Sequence, residues 1–230
     1  MEPESPPHMA MDEVLADVAR TGPYFSVGTD PEVADHPLWR RFTELPGRAL
    51  PDQIAAVRLR LGTREPRVAA SLLFQGIAGR LWSPVLATAV LHGVIPDLDP
   101  ARTYWRAASP GPILLAAPGV GSLRADADAA RRVVAERHLR PLVAAVRSAT
   151  LVAEGLLWGN AASALVGALT VLAEAHPGRS ATARRLAEEL LGMPSLRGTG
   201  DLGPEGFRRR SCCLYYRVPG GGMCGDCALL

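Results

Sequence analysis

Lysine is absent from this chain of 230 residues; all 25 basic side chains are arginine. Alanine, glycine and proline are abundant, so the bias reads as a coding preference and carries no mechanism. Against 23 acidic residues the formal net charge is only +2, which removes the electrostatic reason to expect nucleic acid or an anionic membrane as partner. A secretory leader is also lacking. The opening Met-Glu-Pro-Glu-Ser-Pro-Pro-His is acidic and proline-rich, without the positive and apolar regions of a signal, and reads as a flexible lead-in. Without export the thiols sit in a reducing compartment, where a disulfide framework is disfavoured.

No clean membrane-length apolar run is present either. Residues 151–173 are greasy but carry Glu154, Trp158, Gly159 and Asn160, and residues 68–95 are interrupted by Gln75, Arg80, Pro84 and His92. A spanning helix needs about 20 mainly apolar residues, and charge inside it is expensive. Both segments are expected as central core helices of a soluble protein. A hydrophobic share of 48% and a charged share of 21% support a substantial core.

Helical spacing dominates what remains. Met11, Val14, Leu15 and Val18 form a 3.6-residue stripe within 9–20. Residues 21–51, rich in proline and glycine, should wander over the surface. Asp52 is a fair N-cap for a helix closed by Gly62, and a second helix spans 67–79. Ser83-Pro84 looks like a fresh start, an N-cap followed by proline in the first turn, with that helix running to His92. A short strand is expected at 113–116, with Tyr104-Trp105 as its candidate partner. An amphipathic helix follows over 126–139, restarted by Pro141, then a long buried helix over 150–175 and a last one from Ser180 to Gly192. Residues 196–206 read as a linker, and 214–218 as a further strand. The expected class is mainly α (α+β): a compact multi-helix domain with a small β element. The expected divisions are a lead-in and first helix (1–20), a helical domain (21–200) and a C-terminal segment (201–230).

Cysteine, missing from the first 211 positions, then appears four times: Cys212, Cys213, Cys224 and Cys227. Four thiolates fill the ligand shell of one zinc ion or of a two-iron, two-sulfide cluster. Cys224-Gly-Asp-Cys227 fits a zinc knuckle, but adjacent Cys212-Cys213 does not. Neighbouring side chains in extended chain point to opposite faces, so two adjacent thiolates converge only at a backbone kink. Spacing leans toward the iron–sulfur object and leaves zinc open. Arg208, Arg209 and Arg210 precede the cysteines and Arg217 lies between them. Guanidinium groups beside a negative cluster favour its reduced form, and a solvated basic face explains them equally well. Gly221, Gly222 and Gly225 would let backbone amides approach cluster sulfur.

Elsewhere, Gly119-Val-Gly121 after the 113–116 strand imitates a dinucleotide loop. Arg124 stands where the third glycine belongs and Pro118 removes a donor, so a plain turn is expected and no nucleotide site. His36, His92, His138 and His176 are dispersed, without metal spacing.

The Cys-Cys-x10-Cys-x2-Cys stretch, with its Leu-Tyr-Tyr-Arg-Val-Pro-Gly-Gly-Gly-Met interior, resembles the C-terminus of FhuF-type ferric-siderophore reductases. Arg80-Leu-Trp82-Ser-Pro84 and Leu157-Trp158-Gly159-Asn160 look like segments of the same family. The resemblance implies a 2Fe–2S cluster on Cys212, Cys213, Cys224 and Cys227 and one-electron reduction of siderophore-bound Fe(III), hydroxamate chelates foremost. It also implies an external donor such as a ferredoxin or flavin reductase, and a cytoplasmic place, at most peripheral to the inner face of a membrane. Arg80, Trp82, Trp158 and Asn160 are candidate docking residues, because polar and aromatic groups interrupt apolar helices there; packing explains them too. Arg217, Gly221, Gly222 and Gly225 are candidates for tuning the cluster. The rivals are a zinc-stapled siderophore-binding protein without redox chemistry and an iron–sulfur redox sensor.

Overall fold

A computed structural model describes residues 9–108, 111 and 113–230; the expected lead-in over residues 1–8 lies outside that range. The two greasy segments form its centre. Helix α3 (Pro66–His92) and helix α6 (Glu154–Ala175) pack along each other, and α3 buries residues on every face. A helix apolar all round belongs inside a fold. Helix α6 is long and apolar enough to cross a membrane, but 72% of its most apolar window is buried within this fold.

Around this pair stand α1 (Met11–Ala19), α2 (Leu50–Arg60) and α7 (Ser180–Leu191), and a long helical stretch from Ala127 to Ala149. The latter is three pieces in one run: α4 (Ala127–Ala130), a π-helical Arg131–Leu139, and α5 (Arg140–Ala149). The restart expected at Pro141 is therefore a change of winding rather than a break. Proline sits in the first turn of α5, at the end of the wider coil.

Ser83-Pro84 does not begin a new helix. Helix α3 runs through both for 27 residues and ends at Gly93, whose φ of 70° takes the left-handed cap. Ser83 Oγ donates to the Gly79 carbonyl at 2.7 Å, using one acceptor in the turn that proline disturbs. Burial of residues on both sides of Pro84 supplies the rest; tertiary packing overrides the local start signal.

The β content is small and antiparallel. Strands β1 (Arg40–Arg41), β3 (Tyr104–Ala107) and β4 (Ile113–Ala116) make one sheet in the order β1-β3-β4, with Tyr104 opposite Ala116. Strand β2 (Val94–Pro96) pairs with β5 (Ser122–Arg124). The glycine loop at Gly119 and Gly121 is thus a turn between β4 and β5, with no helix start beside it. Two expectations near the C-terminus need correcting. Residues 200–209, assigned in large part to a linker, form the hairpin β6 (Gly200–Gly203) and β7 (Gly206–Arg209), joined across Gly203-Pro-Glu-Gly206. Residues 214–218 are a 3₁₀ turn (Tyr215–Arg217) instead of a strand, because Leu214 takes a left-handed φ of 69°.

His138 is fully enclosed within the helical stretch, edge-on to Phe42, with Nδ1 2.7 Å from the Val133 carbonyl oxygen and Nε2 unpartnered. Burial pushes its pKa down to about 4 from 6.5. A depressed histidine binds its proton less readily when folded, so its contribution is complete above about pH 6.5 and is lost as pH falls toward 4. The span corresponds to about 3 kcal/mol. Thermal melts followed by circular dichroism should show acid destabilisation in this window, and His138→Phe should flatten it. An unchanged profile in the variant would assign the acid sensitivity to other groups.

Candidate metal centre

The C-terminal segment is carried to the α3–α6 pair by β7, along which burial alternates: Phe207 and Arg209 point inward, Gly206 and Arg208 outward. This period of two selects Arg209 from the run of three arginines. Its guanidinium is wholly buried and fully engaged. Nε donates to Asp226 Oδ2 at 3.0 Å and Nη2 to Asp226 Oδ1 at 2.9 Å; Nη1 donates to Asn160 Oδ1 at 2.8 Å, and Nη2 also reaches Ser163 Oγ. Asn160 in turn donates through Nδ2 to Ser71 Oγ at 2.8 Å and to the Ser71 carbonyl at 3.0 Å. The Ser71 hydroxyl then donates to the Cys213 carbonyl at 2.7 Å. One polar chain thus ties α3, α6, β7, the Cys212-Cys213 pair and the Cys224–Cys227 loop together.

No disulfide joins the four cysteines; Cys213 and Cys227 are buried, and Cys212 and Cys224 half-buried. Leu214, the residue after the cysteine pair, is left-handed, and its amide donates to Cys212 Sγ at 3.3 Å. That backbone conformation costs about 1–2 kcal/mol in a residue with a Cβ. The Leu229 amide likewise donates to Cys227 Sγ at 3.4 Å. Cys213 Sγ and Cys224 Sγ lie 3.5 Å apart. Two thiolates sharing one tetrahedral metal stand about 3.8 Å apart, given metal–sulfur bonds near 2.3 Å, so this pair is close enough to serve a common metal centre. Among the described residues no three Cys, His, Asp or Glu side chains converge on one point as ligands for a lone ion. Burial first, and then the Cys213 thiol, push the Cys224 pKa up to about 12, against the pull of Arg209. A coordinating metal is what would hold that sulfur as thiolate.

Two glycines permit the approach of this segment. A Cβ on Gly159 would collide with the Ser211 side chain, and one on Gly221 would lie 2.6 Å from the Tyr215 carbonyl oxygen. Gly222 and Gly225 face open space. A donor set of four thiols, amides already aimed at two sulfurs, and glycines with room beside them suit an iron–sulfur cluster. Arg217 is half exposed and paired with Glu65 at 2.7 Å; with Arg67 it holds that carboxyl below its usual range. It thereby fastens the 3₁₀ turn to the start of α3.

The expected docking residues are placed inside the protein. Trp82 is fully buried, and Arg80 lies beneath the surface with its guanidinium on the carbonyls of Pro23 and Ser26. Trp158 packs under Arg140, its Nε1 3.3 Å from Glu154. Asn160 belongs to the Arg209 network. Asp226, Ser71 and Ser163 were missed by sequence reasoning, and Arg209 was named only as one of three consecutive arginines, which the alternation along β7 separates.

A mainly helical scaffold therefore presents a four-cysteine tail pinned by a buried arginine. Residues 209–229 match the FhuF 2Fe-2S C-terminal domain, with cysteines at 212, 213, 224 and 227 consistent with the motif. The cofactor that this domain indicates is a 2Fe–2S cluster, which decides against the zinc alternative that spacing left open. No curated protein is found to match the chain.

Removing one partner of a buried ion pair costs about 3–5 kcal/mol. Arg209→Met should lower the thermal midpoint accordingly and release the cysteine loop, measured as faster amide exchange at residues 224–227. Arg209→Lys, which keeps charge but not the fork, should fall between. Equal exchange in all three proteins would show that the loop is held by other contacts.

Proposed function

We propose that the protein is an iron–sulfur ferric-siderophore reductase, passing one electron to chelated Fe(III) and releasing Fe(II). The match of residues 209–229, with all four cysteines in place, carries this reading. In it Cys212, Cys213, Cys224 and Cys227 hold the cluster, residues 201–230 form the cluster-binding segment and residues 21–200 the helical support. A 2Fe–2S group supplies one electron at a time when bound.

The chain's own contribution is positional. The Arg209 network fixes both halves of the cysteine segment, and the half-buried Cys224 sits near the surface, where an electron acceptor approaches closely. Hydroxamate and catecholate oxygens are hard donors that hold Fe(III) more firmly than Fe(II), so one added electron loosens the chelate. No covalent bond in the siderophore is cut, and the freed chelating oxygens take their protons from water; neither acid, base nor nucleophile is required of the protein. The electron is replaced by a separate one-electron donor, a ferredoxin or flavin reductase, in the cytoplasm.

Protein isolated without oxygen should contain two iron and two sulfide per chain, and its colour should bleach with dithionite. Adding a ferric trihydroxamate should restore the colour while Fe(II) appears in a ferrozine assay. Cys224→Ser should lose the visible bands with most helical circular dichroism retained. A reduced protein that ferric chelates leave bleached would end the reductase reading.

A further inference from the structure

An open groove of about 610 Å³ lies between α3 and α6. Its floor is made of small residues, Gly76 and Gly79 from α3 and Ala164, Gly167 and Ala168 from α6. One end closes on Cys213 and Cys224, the pair of thiols 3.5 Å apart. The opposite wall is the segment around Tyr24, which buried Arg80 pins through the carbonyls of Pro23 and Ser26. Tyr24, Val171 and Tyr215 line the groove as exposed apolar side chains. The volume lies within the range of about 300–1,000 Å³ usual for small-molecule sites.

Two features define the occupant. Among the described residues the lining contains no Asp, Glu, Arg or His side chain. An anion moved from water into such a groove loses hydration with no countercharge in return, whereas an uncharged ligand does not. Gln75 supplies a specific acceptor. Gln75 lines the groove, its Nε2 donates to Ser163 Oγ at 3.2 Å, and its Oε1 is buried just beneath the surface without a partner. A buried acceptor without a partner is costly, and a ligand N–H that reaches it would recover that loss.

We propose that this groove is the docking site for the ferric chelate, that it selects chelates of zero net charge, and that Gln75 Oε1 accepts an N–H from the ligand. The assignment rests on the reductase reading for the identity of the ligand. It places the ligand against Cys213 and Cys224, and it gives Arg80 a positioning role through the Tyr24 wall instead of the direct contact expected from sequence.

Gallium(III) replaces Fe(III) in such chelates without accepting an electron, so binding separates from reduction. The probe is the gallium complex of a cyclic peptide trihydroxamate, uncharged and bearing peptide N–H groups, titrated into the cluster-loaded protein by calorimetry. Gly167 has nothing within 4 Å of an added Cβ, and leucine favours a helix over glycine, so Gly167→Leu fills the groove without strain. It should weaken binding by about tenfold or more, and Gln75→Leu by about fivefold, with melting temperatures at or near wild type. A gallium tris(catecholate) trianion should bind far more weakly. Wild-type binding of the neutral probe that neither variant reduces, or no binding at all, overturns the groove; equal affinity for the trianion overturns the charge selection. Reoxidation by ferric chelate, measured in parallel, distinguishes the two failures. Turnover that Gly167→Leu leaves intact removes the groove but keeps the reductase, while groove-dependent gallium binding without turnover does the reverse.

Discussion

The fixed position of the cysteine tail depends on one buried guanidinium. Arg209 is desolvated completely, and its hydrogen bonds to Asp226, Asn160 and Ser163 are what make that burial tolerable. A charge in such a place is neutral or worse for stability when compared with a well-packed apolar residue, but breaking its pairing is costly. Its consequence here is geometric. Asp226 lies between Cys224 and Cys227, Asn160 lies on α6, and the chain continues through Ser71 on α3 to the Cys213 carbonyl. The tail has little apolar anchorage of its own beyond Phe207 and Val218. Polar contacts with strict direction therefore set where the thiols stand, as a ligand set requires.

Local irregularity collects in the same place. Leu214 is the one described residue other than glycine with positive φ, and it follows directly on the two adjacent cysteines. The left-handed turn sends the chain away from Cys213 and aims an amide at Cys212 Sγ. A strand over 214–218, the reading that its aromatic and β-branched residues favour, would have carried the chain straight on without this turn. Strain at Leu214 turns the chain directly behind the ligand pair, and Gly221 lets the returning loop pass close to the Tyr215 and Val218 carbonyls.

What was legible in the sequence was what is local or periodic. The stripe of α1, the two greasy core helices, the 113–116 strand and the four thiols all follow from spacing that the chain carries on its face. Long-range partnership did not. Ser83-Pro84 looks like a start in isolation and becomes the middle of α3 because the residues around it are buried on all sides. Trp82, Arg80 and Asn160 looked like contacts for a ligand because each interrupts an apolar run. Their partners, the Pro23 and Ser26 carbonyls and Arg209, lie more than fifty positions away in other elements or come from the tail. Arg209 was hidden among three arginines until β7 was known to be a strand.

The two halves of the site meet at Ser163. Its hydroxyl oxygen accepts from Gln75 Nε2 on the groove side and from Arg209 Nη2 on the tail side. Occupancy of the groove at Gln75 and order in the cysteine loop at Asp226 are therefore separated by two side chains, with no flexible segment between them. Any ligand that draws on Gln75 acts on the same hydroxyl that steadies Arg209, and by linkage whatever steadies Arg209 acts back on the ligand with equal free energy. A groove that ends on two thiols and shares a hydroxyl with their clamp ties recognition of the acceptor to the geometry of the electron's point of departure.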